Sequence, residues 1–192
     1  MVEREERMSK KNSKKGLANP SRLSAFDPDQ QETIHVVIET PKGSRNKYAF
    51  DPDQHIFKLK RVLPAGMVFP YDFGFIPSTK AEDGDPVDVL VLMDEPAFPG
   101  CLLECRLIGV IEGEEESKGK KTRNDRVVAI ERADHSFADI EHIDDLGKQF
   151  VRELEEFFVN YHDMHGEKYQ VLNVRGPGRA KDRIKDGMRK AA

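Results

Sequence analysis

Apolar positions in this chain repeat at two periods, and the period changes once, late in the sequence. At 34–40 (IHVVIET) β-branched residues alternate with polar ones. Ile34, Val36 and Ile38 share one side, and His35, Val37 and Glu39 share the other, which predicts a strand. The stretch 41–46 (PKGSRN) reads as a turn, 47–51 as a return strand, and 55–63 (HIFKLKRVL) as a third strand with Phe57, Leu59 and Arg61 on one side. The unbroken apolar run at 87–93 predicts a strand buried on both sides. Further strands are expected at 102–112 and 126–131, with EGEEESKGKKTRN between them as a charged hairpin loop. The period then lengthens. Phe150, Val151, Leu154, Phe157, Phe158 and Tyr161 recur at three- and four-residue spacing, which predicts an amphipathic helix over about 147–164, and Gly166 follows as a stop signal. A shorter helix is expected at 178–190. Many short strands followed by helices predict a mainly β (α+β) chain, closed or nearly closed into a β-barrel with helices packed outside.

Composition narrows the function. A length of 192 residues suits one domain. Residues 1–25 are polar, charged and aperiodic, so a disordered N-terminal tail is expected there, with a single domain over 26–192. The net charge of −4 lacks the basic footprint of a nucleic-acid binder. No apolar run is long enough for a membrane span, and no N-terminal apolar stretch suggests a signal peptide. Cys101 and Cys105 share a predicted strand, which puts their Cα atoms about 13 Å apart and too far to bridge. Reduced cysteines fit a cytoplasmic location.

The chemistry concentrates in EDGDPVDVLVL, residues 82–92. Asp83, Asp85 and Asp88 fall within six residues. Asp-Gly and Asp-Pro favour turns, so Asp83 and Asp85 alone could be a solvated turn. Asp88 differs, because it enters a run of valine and leucine where an unpaired charge is costly. Three crowded carboxylates are tolerated when a hard cation neutralises them, and Mg²⁺ uses oxygen ligands together with substrate phosphates. A calcium-binding loop does not fit: counted from Asp83, the sixth residue is Asp88 where glycine is required. Glu39, Lys47, Arg61 and Tyr161 lie at the ends of predicted strands or of the helical stripe, positions from which cations and a hydroxyl could reach phosphate oxygens.

These stretches resemble the soluble family I inorganic pyrophosphatases. EDGDPVDVLVL matches that family's signature, and the likeness continues through VVIETP, LKRVLPAGMVFPYDFGFIP, ECRLIGVIE and FFVNYH, covering roughly 32–170. The resemblance implies a five-stranded OB-like barrel with flanking helices, several Mg²⁺ ions, hydrolysis of inorganic diphosphate to two phosphates, and a homo-hexamer. It implies Asp83 and Asp88 as metal ligands, Asp85 as the carboxylate that also activates water, and Glu39 as an outer acid. Lys47, Arg61 and Tyr161 would hold phosphates.

The chain also departs from the family pattern. Ala49 stands where an acid is usual, Phe69 and Phe73 where tyrosines meet the substrate, and His162 where a lysine follows the tyrosine. Glu115 aligns with a later metal ligand. In Asn124-Asp125-Arg126, either Asn124 replaces a ligand or Asp125 serves, and Arg126 replaces a lysine. Arg126, His162 and the lysines of 118–121 are the expected substitutes for the missing hydroxyls, with His162 making binding pH-dependent near its ordinary pKa of about 6.5. Two other readings remain open: a pyrophosphatase-like protein that binds Mg²⁺ and phosphate but turns over little, and a non-catalytic OB-type binding module.

Overall fold

The computed structural model describes residues 19–192. The expected tail therefore falls outside the described residues as far as 18. Residues 19–25 are packed: Pro20–Arg22 forms a 3₁₀-helix, the carbonyl of Ser21 accepts from Ser78 N–H, and Ala25 is fully buried.

Nine strands are present among the described residues: β1 (Thr33–Thr40), β2 (Asn46–Asp51), β3 (Ile56–Val62), β4 (Asp72–Ile76), β5 (Val87–Leu92), β6 (Leu102–Ser117), β7 (Lys120–Arg123), β8 (Arg126–Glu131) and β9 (Lys168–Arg175). The two long helices are α1 (Lys148–Asp163) and α2 (Pro177–Ala191). β1 pairs with β4, β4 with β5, β5 in parallel with β8, β8 with β6, and β6 back with β1. The pairings thus run round a ring of five strands, the expected mainly β, OB-like arrangement. β2 and β3 form a separate hairpin sheet.

Strand parity divides the core in two. Val87, Val89 and Val91 of β5 join Val127 and Ala129 of β8 in a cluster that also holds Ala180 and Ile184 of α2. Leu90, Leu92, Val128 and Ile130 join a second cluster with Leu154 and Phe158 of α1. β5 is therefore apolar at almost every position because both of its sides are covered.

Three elements depart from expectation. β4 is interrupted by Gly74, which hides it from a strand pattern. A Cβ there would lie 2.1 Å from the Val37 carbonyl oxygen, so only glycine lets β1 approach this closely. The expected charged loop at 112–124 is mostly strand. β6 runs on to Ser117, turns at Lys118 and Gly119, both with positive φ, and returns as β7, aligning Glu114 with Arg123 and Glu116 with Lys121. Cross-strand charge pairs, where apolar alternation is absent, hold this ribbon. The same half of β6 also pairs with β9, so a strand that reads as polar is a central one. Both cysteines are free.

Candidate active site

A cavity of about 470 Å³ opens where the starts of β5 and β8 meet the end of α1 and the β2–β3 hairpin. Its position follows from parity and register. Asp88 shares the side of Leu90 and Leu92, and Arg126 that of Val128 and Ile130. β5 and β8 are parallel and align Val89 with Val127, so Asp88 and Arg126 begin neighbouring strands together. Their side chains form an ion pair of 2.8 Å in the cavity wall. Asp83 and Asp85 lie at the lip, joined by a hydrogen bond of 3.1 Å from Asp85 N–H to Asp83 Oδ1.

The carboxylates are crowded enough to perturb one another. Asp83 keeps an exposed residue surface, yet the surrounding protein strips water from its carboxyl group. That loss, with the charges of Asp88 and Asp85, raises its pKa to about 6. Asp88 is likewise raised by burial, against the pull of Arg126 and Lys47. Nearby carboxylates that hold protons too readily are what an added cation would relieve. The donor set of Asp83, Asp85 and Asp88 is all oxygen, which fits a hard divalent ion.

Opposite them stands a cationic wall. Lys47 of β2 and Arg61 of β3 are cross-strand neighbours. Lys47 is held by Glu39 at 3.3 Å, and Glu39 is buried and anchored by Phe50 N–H at 2.8 Å. Burial raises the Glu39 pKa, and Lys47 opposes the shift. Arg61 faces the cavity with no carboxylate partner among the described residues, its guanidinium 5.7 Å from the Tyr161 ring centre. Burial raises the pKa of the Tyr161 hydroxyl, which stays protonated and able to donate.

The floor is aromatic. Phe69 and Phe73 are buried, and Phe69 packs edge-on against Phe157 and Tyr161. Lys47 Nζ sits 4.0 Å over the Phe73 ring, and Arg126 lies 5.9 Å from Phe73 and 5.4 Å from Phe158. Where hydroxyls would donate, these rings instead hold cations in place.

The remaining candidates separate. Asn124 faces the cavity, where its Oδ1 accepts from Arg126 and its Nδ2 donates to Glu115 Oε2 at 2.8 Å. Asp125 is turned out of it, holding Arg123 at 2.6 Å and Arg183 at 2.9 Å and accepting from Gly113 N–H. In the two-residue link between β7 and β8, Asn124 therefore faces the cavity and Asp125 faces away from it. No lysine of 118–121 lines the cavity, and Lys121 pairs with Glu114 instead. Ala49 and Glu115 line the wall. His162 is buried, and burial together with Arg126, Arg61 and His165 lowers its pKa to about 3, so it does not titrate near 6.5. Glu167, next to His162 at 3.4 Å, has no sequence signal of its own, because it lies beyond Gly166 in an irregular stretch.

The chain is similar in sequence and fold to several known proteins. A family model described as inorganic pyrophosphatase matches residues 36–192. The inorganic pyrophosphatase of Thermus thermophilus is 41% identical over 160 residues, 83% of this chain and 89% of the relative. That of a Synechocystis species is 40% identical over 139 residues, 72% and 80% of the two chains. The crystal structure of the Thermus thermophilus enzyme superimposes with a TM-score of 0.82 at 36% identity, covering 91% of this chain and 99% of that one. A Neisseria gonorrhoeae inorganic pyrophosphatase structure superimposes with a TM-score of 0.80 at 31% identity, covering 88% and 96%. With the family model spanning most of the chain and the fold shared over nearly its whole described length, the chain belongs to the inorganic pyrophosphatase family.

Proposed function

We propose that the cavity hydrolyses inorganic diphosphate to two phosphates with Mg²⁺ held by Asp83, Asp85 and Asp88. The observation that carries this reading is the single cavity in which those carboxylates face Lys47, Arg61 and Arg126. Diphosphate is highly charged, and the chemistry that divalent cations supply here is neutralisation of that charge and acidification of a water. Asp85 accepts the proton of the attacking water as a new P–O bond forms and the bridging P–O bond breaks. Lys47, Arg61 and the Tyr161 hydroxyl hold phosphate oxygens. Arg126 adds a donor: its Nε is buried without a hydrogen-bond partner among the described residues. Glu39 orients Lys47, and Phe73 supports Lys47 and Arg126 from below.

One observation favours slow turnover. Asp88 is already engaged by Arg126 at 2.8 Å, so a metal ion competes with an internal cation for this carboxylate. Phosphate release from diphosphate with millimolar Mg²⁺ tests both readings. Turnover well above background supports the enzyme, slow turnover with measurable Mg²⁺ and phosphate binding supports the weakened form, and no release at any enzyme concentration rejects hydrolysis.

We also propose a homo-oligomer in the cytoplasm. Exposed Leu59, Val62 and Phe98 offer apolar surface for a second copy, and the free cysteines suit a reducing compartment. Light scattering of the purified chain tests the first, since a monomer at micromolar concentration would exclude it.

A further inference from the structure

A second group of ligand-type side chains lies in the same cavity wall, apart from the aspartates. Glu115 of β6, His162 of α1 and Glu167 just before β9 each bring one ligand atom within 4.8 Å of the others. His162 Nδ1 lies 3.4 Å from Glu167 Oε2 and 3.8 Å from Glu115 Oε2. An ion with bonds of about 2.1 Å in tetrahedral geometry has ligand atoms about 3.4 Å apart, so His162 and Glu167 already stand at that spacing and Glu115 has to close in.

The independent sign of a ligand is His162 itself. It is 3% exposed, yet neither ring nitrogen has a hydrogen-bond partner among the described residues. Buried polar atoms are rarely left so, and this imidazole lies beside two carboxylates, a set of groups that could share an ion. The ring is also fixed. It stacks on Tyr169 at 4.8 Å with planes 12° apart, and Tyr169 OH donates to the Asn124 carbonyl at 2.9 Å. Asn124 in turn donates to Glu115, as hydrogen-bonded supports of metal ligands commonly do. Gly113 makes room for this stack, since a Cβ there would lie 2.1 Å from the Tyr169 hydroxyl.

We propose that Glu115, His162 and Glu167 bind one divalent transition-metal ion of the zinc kind, separate from the ions of the aspartates. Imidazole suits zinc, for which Co²⁺ serves as the coloured probe, whereas Mg²⁺ selects oxygen. The positive charge of Arg126 does not forbid the site, because the carboxylates of Glu115 and Glu167 both stand beside the imidazole. Glu115 thereby leaves the ligand set expected for Mg²⁺.

The test needs no diphosphate and so stands or falls apart from hydrolysis. The full chain, stripped of metal by chelation, is titrated with Co²⁺ in millimolar Mg²⁺. Visible absorption and metal content after dialysis are the readouts. One Co²⁺ per chain should bind despite the Mg²⁺, with d–d bands of a low-symmetry site. His162→Gln and Glu167→Gln should weaken it by about a hundredfold or more, beyond the cost of losing a mere support of a ligand. Asp83→Asn should leave it in place. Circular dichroism checks that each variant folds, and Glu167→Gln, at a partly exposed position, serves if the buried His162→Gln does not. Displacement of all Co²⁺ by Mg²⁺, equal affinity in parent and Glu167→Gln, or loss of the ion in Asp83→Asn would each overturn the proposal.

Discussion

The β6–β8 region carries two clusters of charge, and they differ in how completely they are paired. On the α2 side, Glu112 and Asp125 meet Arg123, Arg179 and Arg183 in ion-pair contacts of 3.0 Å or less. On the cavity side, Arg61 lacks a carboxylate, Arg126 Nε lacks an acceptor, and both nitrogens of His162 are unpartnered among the described residues. Neighbouring residues divide between the two clusters: Glu115, Asn124 and Arg126 line the cavity, while Glu112, Arg123 and Asp125 join the α2 side. The α2-side cluster matches each carboxylate with arginines and so ties α2 to the sheet, although Arg123 Nη2 and Arg183 Nε make their ion pairs without hydrogen-bond geometry. The cavity-side cluster is held ready for groups that the folded chain does not supply.

Exchanging residues between the two sides tests this contrast. The largest effect is expected at the lip: Asp85→Asn should lower kcat about 10²- to 10⁴-fold, the range of a lost general base, a far larger loss than its loss of Mg²⁺ affinity. Asp88→Asn should instead raise the Mg²⁺ requirement. Equal changes in both constants for the two variants would remove the division of roles. Arg126→Lys comes next. Lysine cannot engage Asp88 and Asn124 and still present a second donor, so KM should rise about 10-fold or more, the worth of one charge-assisted bond of roughly 1.5–3 kcal/mol. An unchanged KM would show that the guanidinium only braces the wall.

Asp125→Asn should behave in the opposite way. It weakens the α2 cluster and should cost about 2 kcal/mol of stability in denaturant titration, while kcat and KM remain those of the parent. A catalytic defect at full occupancy of folded protein would place Asp125 in the site after all. The smallest effect concerns acid. His162 titrates near 6.5 when unfolded and at about 3 when folded. Between these values the unfolded chain binds more protons, so stability falls as pH falls through that window. Metal-free protein should lose about 1.5 kcal/mol between pH 6.5 and 5 from this residue, and His162→Gln should flatten that slope in thermal melts. Parallel slopes would show that His162 is protonated in the fold.

The local parts of this protein were readable without coordinates. Alternation over 34–40 and the three- and four-residue spacing of Phe150 to Tyr161 depend only on neighbours along the chain, and β1 and α1 form there. Asp83, Asp85 and Asp88 could be recognised as a site because they lie within six residues, and strand parity alone puts Asp88 on the side of Leu90. Tertiary structure decided the rest. Register between β5 and β8 brings Arg126 to Asp88, and no spacing along the chain encodes a register between strands so far apart. The bulge between Glu112 and Gly113 helps determine which side each later residue of β6 takes, so the direction of Glu115 is not countable from the sequence. Asn124 or Asp125 was undecidable for the same reason. His162 is an ordinary titrating histidine in sequence, and it becomes a neutral buried one only when α1 packs it against Tyr169 and beside Arg126. Loss of water is a property of the assembled surroundings, and they come from segments the local pattern does not see.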